Sequence, residues 1–428
     1  MSAENTEVSK CPVAHLRSPE QFNPFTPDFS QTPQKALMTA QAEQPVFFSP
    51  VMNMWVVTRH DDLKAVMQDT ETFTSGGAFS APAVVSPEAL KIIGGLDHPA
   101  FRYSLVNSDP PAHTRFRNTF QRTFTPRQVA ILEPQIRELI HQLLADLRTN
   151  KRAEVIKTFC DQLPLLTICR LIGIADADAP NVKRWSADFI RIQNPGWSIE
   201  EQRVIGQSIL DYYGYLLNLV KHYTSHSAEN LICSVIEARR NDDEPLSDEE
   251  LAGLISGLVL AGHETTAALI GNTLYSLLSQ RQLWDDFCQN PDRIPAAVDE
   301  LIRHGGPAIG LFRRTSRDAV VGEVTIPKDS VVWIAYLAGN HDPTQFPNPE
   351  QLDFGRDNSG NHLSFGHGIH YCIGAVLAKL EVRLVLEELT THYPSLHLEP
   401  GHMVTPASNF MLRTYQEMVV TIDESPTQ

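Results

Sequence analysis

A ten-residue stretch near the end of the chain, FGHGIHYCIG at 365–374, sets three glycines and two histidines around one cysteine, Cys372. Most lone cysteines are small buried hydrophobic residues, and that interpretation applies here too. A structural zinc site would require four ligands, and the chain has no CxxC pair to supply them. Nucleophilic catalysis would require a histidine base oriented by a third group. Residue types alone leave these interpretations open.

A thiolate ligand for haem iron is a further interpretation, and the surroundings of Cys372 favour it. Glycines allow the backbone to approach a flat macrocycle closely. A helix N-terminus stabilises a sulfur anion, and an amphipathic helix is predicted at 374–392, directly after the cysteine.

The pattern FxxGxHxCxG at 365–374 resembles the haem-binding signature of the cytochrome P450 family. Three further segments occur in the order found in that family. The sequence AGHETT at 261–266 resembles its oxygen-activating motif, and Glu300 with Arg303 resembles its ExxR pair. The stretch NHDPTQFPNPEQLDFGR at 340–356 resembles the segment that completes the ExxR network. The resemblance extends over roughly residues 40–420 and includes the segment 108–128, similar to the family's third-helix region.

The resemblance implies haem b as the cofactor and Cys372 as the iron ligand. It also implies that Glu300 and Arg303 are structural. Arg314 is the alternative to Arg313 as a propionate-binding residue. The haem contacts implied by the family pattern are His113, Arg117, Arg313, Phe365, His370, Gly374, Ala261 and Gly262.

The family reaction implies that Glu264 and Thr265 deliver protons during O2 activation, with Thr266 as the rival alcohol and His263 turned away from the iron. The expected activity is insertion of one oxygen atom, by hydroxylation or epoxidation, into a small, largely hydrophobic molecule. Oxidative coupling, desaturation, demethylation or peroxide-driven oxidation is the alternative. A non-catalytic haem-thiolate gas or ligand sensor is a more distant one, which the Glu264–Thr265 pair disfavours.

Electrons are expected from NAD(P)H only indirectly, through a ferredoxin or flavodoxin with its reductase, because the chain ends about 55 residues after Cys372. Such partners are acidic, so a basic cluster on the cysteine side of the haem is predicted, with the candidates Arg115, Arg122, Lys379 and Arg383.

By the same resemblance, the substrate is expected to lie among apolar residues, which suit a hydrophobic or aromatic molecule. The candidate lining residues are Val84, Val85, Phe189, Leu258, Ile309, Leu311, Phe410 and Met411.

The elements that must position these residues are mainly helical. The patterning predicts an α-rich fold with a minor β region, built as one large domain with a long central helix over the haem. Residues 1–20 are expected to form a flexible tail and 21–424 the catalytic domain. Two β regions are predicted, a hairpin at 45–58 and a patch at 319–336. The predicted helices cover 127–149, 154–173, 199–222, 229–240, 248–279, 295–304 and 374–392.

Composition limits the partners and the compartment. The 428 residues carry a formal charge of −16, which argues against general affinity for nucleic acid or anionic membranes. Six dispersed cysteines are typical of a reducing compartment rather than a disulfide framework. The N-terminal segment does not resemble a signal peptide. A monomeric, cytoplasmic protein without a membrane anchor is therefore expected.

Overall fold

The computed structural model describes residues 22–76, 91–95, 97–122, 124–192, 197–240 and 244–423. The predicted tail at 1–20 lies outside these residues. Helices dominate the described chain, and their bounds, labelled in chain order, are α1 Pro27–Gln31, α2 Pro33–Glu43, α3 His60–Gln68, α4 Pro99–Arg102, α5 Ala112–Gln121, α6 Pro126–Ala130, α7 Glu133–Leu143, α8 Ala145–Asn150, α9 Gln162–Ile172, α10 Ala179–Arg191, α11 Ile199–Ser225, α12 Leu231–Arg239, α13 Asp248–Leu278, α14 Arg281–Gln289, α15 Ile294–Gly305, α16 Tyr336–Asn340 and α17 Ala375–His392.

The central helix α13 is 31 residues long, or about 46 Å at 1.5 Å per residue. Its start is fixed by a capping box in which the N–H of Glu250 donates to the Ser247 hydroxyl and the N–H of Ser247 donates to the Glu250 carboxylate. Helices α9, α11, α15 and α17 pack around it. Among the described helices, only α13 is long and apolar enough to cross a membrane, and 61% of its apolar window is buried inside the protein, as in a core helix.

The minor β region is built around a five-stranded sheet in the order β1-β2-β8-β5-β3. The predicted hairpin is confirmed as β1 and β2, which pair antiparallel from Val46↔Val57 to Ser49↔Met54. Strand β8 joins β2 in parallel and β5 antiparallel, which makes it a central strand. The bounds of the strands are β1 Val46–Ser49, β2 Met54–Val57, β3 Phe73–Thr74, β4 Arg152–Glu154, β5 Leu311–Thr315, β6 Ala319–Val321, β7 Val324–Ile326, β8 Val331–Ile334, β9 His397–Leu398, β10 Thr405–Pro406, β11 Tyr415–Glu417 and β12 Val419–Thr421.

Several predicted elements differ from the structure in their boundaries. The predicted helix at 127–149 is divided into α6, α7 and α8, and Pro134 stands in the first turn of α7, where a proline is tolerated. The region 154–173 begins with a π-helical turn, Ile156–Cys160, before α9. The β patch at 319–336 contains β6, β7 and β8 but ends in α16. The helical spacing did not predict α2, α3, α10 or α14.

Candidate active site

The loop that carries Cys372 depends on two glycines in the left-handed backbone region. Gly366 and Gly368 have φ angles of 70° and 71°. A Cβ atom on Gly368 would lie 2.9 Å from the carbonyl oxygen of Met67, so a side chain there would both strain the backbone and collide with it. The loop closes with the N–H of Cys372 donating to the Phe365 carbonyl at 2.9 Å. Glycine is therefore required at 368 by two independent constraints.

The electrostatic surroundings of Cys372 suit a sulfur that binds a cation. Burial raises the pKa of its thiol, whereas the backbone N–H groups of Gly374 and Ala375 and the positive charge of Arg117 act in the opposite direction. The side chain is nevertheless exposed enough for a ligand to reach it. Since α17 begins at Ala375, its positive end faces the sulfur. A metal ion on the sulfur would complete the stabilisation of the thiolate.

Four basic side chains converge near this loop: His113, Arg117, Arg313 and His370. The rings of His113 and His370 have centroids 4.3 Å apart. Burial, followed by the charge of Arg117, lowers the pKa of His113 to about 4. Burial, followed by the charge of Arg313, lowers the pKa of His370 to about 3. Both imidazoles are therefore neutral at pH 7 and able to donate one hydrogen bond each.

This basic cluster has buried nitrogen atoms, including at least two hydrogen-bond donors, that have no partner among the described residues. Both ring nitrogens of His113 and Nε of Arg313 make no hydrogen bond. The nearby Asp109 carboxylate is occupied, since it accepts from the N–H groups of Ser75 and Gly76 at 2.8 Å each. Buried unpaired donors are costly unless a ligand satisfies them. The set fits an anionic ligand, and the two propionate carboxylates of haem have the required charge and acceptor count.

The strand geometry distinguishes Arg313 from its alternative. Arg313 is 3% exposed and points into the protein, while Arg314, on the opposite face of β5, is exposed. Two neighbours of this cluster were not predicted. The Ser75 hydroxyl lies 3.0 Å from Nε2 of His370. Burial raises the pKa of the Tyr336 hydroxyl, and the nearby charge of Arg313 acts in the opposite direction.

The motif at 261–266 lies in the middle of α13, where the helix has an accessible side. Ala261 is exposed and Thr265 is half-buried, and the Thr265 hydroxyl donates to the Ala261 carbonyl at 2.6 Å. Thr266 is 5% exposed and belongs to the core side of the helix. The geometry thus favours Thr265 over Thr266 as the alcohol that a ligand can reach.

Gly262 differs from the expectation that it contacts the haem, because a Cβ at this position would point at Ile168 of α9, 3.2 Å away. Its missing side chain serves helix packing.

Glu264 is held as a carboxylate by its neighbours. Burial acts to raise the pKa of Glu264, but His263 and the charge of Lys183 outweigh it and lower the pKa below its usual value. Nε2 of His263 lies 3.3 Å from the Glu264 carboxylate, and Nδ1 of the same ring bonds the Val259 carbonyl at 2.8 Å. Lys183, from α10, is a residue that sequence patterning missed, since it lies 81 positions upstream.

Glu300 and Arg303 form a buried ion pair at the end of α15. Arg303 donates to both oxygens of Glu300 at 2.7 and 2.8 Å, and the two side chains are 0% and 1% exposed. The predicted contribution of the segment 340–356 is present: Arg356 lies 3.3 Å from Glu300, and the N–H of Asp353 donates to Glu300 at 3.0 Å. Asn340 then extends the network toward the cysteine loop by accepting from the N–H of Leu363. This network joins α15 to the cysteine loop.

The predicted substrate-lining residues divide into several groups. Val84 and Val85 lie outside the described residues. Ile309 is a correction: it is 1% exposed and packs with Phe312 and Trp333, so it cannot line an open site. Phe410 also packs against this sheet core, with its ring 5.1 Å from that of Phe25. The residues that keep partly accessible apolar surface are Phe189, Leu258, Leu311, Phe410 and Met411.

Three candidates for the predicted basic cluster, Arg115, Lys379 and Arg383, form ion pairs with carboxylates. Arg115 makes two 2.7 Å bonds to Glu250 and thereby helps to fix the start of α13. Lys379 lies 2.6 Å from Asp299, and Arg383 lies 2.8 Å from Glu133. Arg122 is exposed. These ion pairs offset part of the positive charge of the three side chains, and the basic cluster stays a prediction.

A reachable cysteine at a helix N-terminus, together with buried donors that fit two carboxylates, defines a haem-thiolate oxidoreductase. Comparison with known proteins agrees. The family model "Cytochrome P450" matches residues 216–420. The chain is 32% identical to 6-deoxyerythronolide B hydroxylase of Saccharopolyspora erythraea over 80% of this chain and 84% of that protein. It is also 32% identical to mycinamicin IV hydroxylase/epoxidase of Micromonospora griseorubida, over 80% and 83% of the two chains.

Among solved structures, cytochrome P450 CREJ in complex with (4-ethylphenyl) dihydrogen phosphate is similar at 33% identity and a TM-score of 0.86, covering 95% of this chain and all of that one. The chain belongs to the cytochrome P450 family. It is accordingly a monooxygenase that uses haem b, and the mainly helical fold with a long central helix is confirmed.

Proposed function

We propose that the chain inserts one oxygen atom from O2 into a small, largely apolar molecule, by hydroxylation or epoxidation, with electrons from a separate ferredoxin or flavodoxin. The observation that carries this proposal is the pair Glu264 and Thr265 on the accessible side of α13. A carboxylate and an alcohol interrupt an otherwise apolar core helix there. Burying these polar groups costs free energy, and a helix with only a structural role would have no reason to contain them. The same pair disfavours the alternative of a non-catalytic sensor, because a sensor does not need residues that deliver protons to O2.

Each residue of the site has a stated task in this proposal. Haem with a thiolate ligand supplies O2 activation with cleavage of the O–O bond. Cys372 supplies the thiolate, and the N–H groups of Gly374 and Ala375 hold its charge. Glu264, ionised at pH 7, takes a proton from solvent at its carboxylate oxygen and passes it toward the Thr265 hydroxyl. The hydroxyl oxygen can accept this proton while its own O–H still donates to the Ala261 carbonyl, but it must turn away from that carbonyl to donate a proton onward.

The proton path also has an entrance. Glu264 is 32% exposed and lies within the influence of the positive charge of Lys183, so it can exchange protons with water without becoming an isolated buried ion. We assign Lys183, whose ammonium group pairs with Asp161, as a positioning residue, because its charge acts on Glu264. Replacing it by methionine should slow the protonation step more than it weakens substrate binding, which kcat and KM measured separately would show.

The substrate class follows from the accessible apolar residues. Phe189 stacks on Phe101 with ring centroids 5.1 Å apart and forms a flat aromatic surface next to the helical core. Leu258, Leu311 and Met411 add aliphatic surface. Such a lining suits a hydrophobic or aromatic molecule that is held mainly by burial. The two sequence relatives named above are a hydroxylase and a hydroxylase/epoxidase, which supports oxygen insertion over coupling.

Electron delivery is proposed at the surface next to the cysteine loop. Ile369, Tyr371 and Val376 are exposed there, at 37%, 42% and 40%. Because Lys379 and Arg383 are already paired, we expect a partner that binds through this apolar surface at least as much as through charge. The affinity should then fall only weakly as salt rises. A cytoplasmic, monomeric protein is the corresponding proposal for location and assembly.

The experiment that tests the proposed function uses purified protein with NADPH, a ferredoxin, its reductase and isotopically labelled O2. Compounds are first selected from an apolar library by the shift of the haem absorption band on binding. One labelled oxygen atom in the product is the expected result, detected by mass spectrometry. A dimer or a desaturated product without label would replace oxygen insertion by coupling or desaturation. Binding without turnover of any bound compound would favour the sensor.

A further inference from the structure

A cluster of metal-ligating side chains lies on the surface where α7 meets α17. It consists of His141 from α7 and Glu388 and His392 from α17, and we call it the helix-pair cluster. The ligand atoms of all three residues lie within 4.8 Å of one another. Oε2 of Glu388 is 3.0 Å from Nε2 of His141 and 3.3 Å from Nε2 of His392. Glu388 and His392 are four positions apart and therefore share one face of the helix.

The spacing is close to what a tetrahedral metal ion requires. Zinc binds imidazole nitrogen and carboxylate oxygen at about 2.0–2.2 Å, which places neighbouring ligand atoms about 3.3 Å apart. The two distances from Oε2 of Glu388 already have this value to within a few tenths of an ångström. Only the two histidine rings must move closer together. Both are accessible, with His141 41% and His392 51% exposed, so they can turn and an ion can enter.

The carboxylate of the cluster is already oriented for such a ligand role. Glu388 is 10% exposed, and its Oε1 accepts from Arg137, which leaves Oε2 facing the histidines. Partners that orient a ligand in this way are typical of protein metal sites. Arg137 also bonds Glu133 and Glu387, and Arg383 bonds the same two carboxylates. Three carboxylates thus share two guanidinium groups, and the one uncompensated negative charge favours a cation.

We propose that His141, Glu388 and His392 bind a divalent transition-metal ion, with Zn²⁺ as the expected metal and water in the remaining coordination position. Two imidazoles and one carboxylate suit zinc, copper and nickel better than magnesium or calcium. The site is separate from the haem, because Glu388 lies roughly 20 Å along α17 from the end that faces Cys372. A bound ion would join α7 to α17 and so stabilise the helix that supports the cysteine loop.

The test is zinc titration of the haem-loaded, chelator-treated protein by isothermal titration calorimetry. One Zn²⁺ per chain should bind at the cluster. Either His141→Ala or His392→Ala should weaken this binding at least about tenfold, since loss of even an orienting partner costs that much. Zinc should also raise the thermal midpoint of the wild type, because the folded state alone presents the site, and it should do so far less in the variants.

The matched control removes another exposed histidine pair. His222 and His226, four positions apart at the end of α11, stack with ring centroids 4.3 Å apart, and the described residues group no third ligand with them. The double variant H222A/H226A should keep the zinc site and its thermal effect. An unchanged carbon monoxide difference spectrum and far-UV circular dichroism would show that each variant is folded.

Two results would overturn the proposal. The first is the absence of zinc binding by the wild type, in which case the three side chains form only a hydrogen-bonded cluster. The second is binding that persists in His141→Ala and His392→Ala but disappears in the H222A/H226A control, which would place the ion elsewhere. Should either alanine variant fail to load haem, the glutamine variants His141→Gln and His392→Gln, which keep a polar side chain, replace it in the same titration.

Discussion

Removal of Arg303 is expected to destabilise the protein severely. This side chain is 0% exposed and donates to both oxygens of Glu300. It also donates to the backbone carbonyls of Asn340 and Pro349 at 2.8 and 2.9 Å and of Gln351 at 3.0 Å. The variant Arg303→Met keeps most of the side-chain volume but removes every one of these donors.

The magnitude follows from the groups left behind. A buried carbonyl that loses its donor costs about 1–3 kcal/mol, and three carbonyls are affected. Removing one member of a buried ion pair costs about 3–5 kcal/mol. Arg356, 3.3 Å from Glu300, retains a counter-charge and limits the second effect. Because these contributions overlap, we expect a loss of about 3–5 kcal/mol, a large share of the roughly 5–15 kcal/mol that stabilises a typical domain.

The assay is urea unfolding followed by far-UV circular dichroism, with the loss of unfolding free energy taken from the shift in midpoint. The control is Arg170→Met, which removes a similarly forked arginine pair with Asp176 at 2.7 Å. These side chains are 29% and 47% exposed, so the expected loss is no more than about 1 kcal/mol. Equal losses for the two variants would refute the argument that burial and the three carbonyls make Arg303 structural.

Three other predictions concern the loop, the proton path and acid stability. Gly368→Ala should lower haem content and the unfolding midpoint more than Gly401→Ala. Both glycines have positive φ, so alanine costs about 1–2 kcal/mol of backbone strain at either position. Only at position 368 would the added Cβ also collide with a backbone oxygen. Similar losses would contradict this. Thr265→Ala should slow product formation by about 10²–10⁴ and waste reducing equivalents, whereas Thr266→Ala should retain coupling, as product per NADPH consumed would show. The reverse order would make Thr266 the functional alcohol. Burial, followed by the charge of Arg413, lowers the pKa of His304 to about 4 from 6.5. The unfolded chain therefore binds a proton first on acidification, and the stability that His304 contributes, complete above pH 6.5, is lost between 6.5 and 4. Urea titrations of His304→Asn should show a pH slope smaller by up to one proton, about 1.4 kcal/mol per pH unit, and an unchanged slope would exclude this role.

The local signals in the sequence predicted the elements that hold the cysteine loop. The capping box at Ser247 and Glu250 predicted the start of α13, and the amphipathic pattern after Cys372 predicted α17 to within one residue at its start. These features depend on residues within a few positions of one another. For the same reason the sequence alone predicted that the glycines around Cys372 allow a close approach of the backbone.

What could not be predicted depends on contacts between distant segments. Ile309 directly precedes the segment of β5, whose sequence LFRRT shows no alternation of apolar and polar residues that would indicate the buried side. The burial of Ile309 against Trp333 therefore follows only from the pairing of β5 with β8. Glu250, the partner of Arg115, lies 135 positions away, and Glu133, one of the two partners of Arg383, lies 250 positions away, so these two pairings are invisible in sequence. The effect of the Lys183 charge on the pKa of Glu264 likewise depends on residues that are far apart in sequence.

The most direct test of the central claim is the carbon monoxide difference spectrum of the reduced protein. The thiolate assignment predicts an absorption maximum near the wavelength of roughly 450 nm from which the family takes its name. Cys372→Ser should lose this band while the protein stays folded by circular dichroism. A maximum at distinctly shorter wavelength in the freshly purified wild type, or a band unchanged by Cys372→Ser, would contradict Cys372 as the iron ligand.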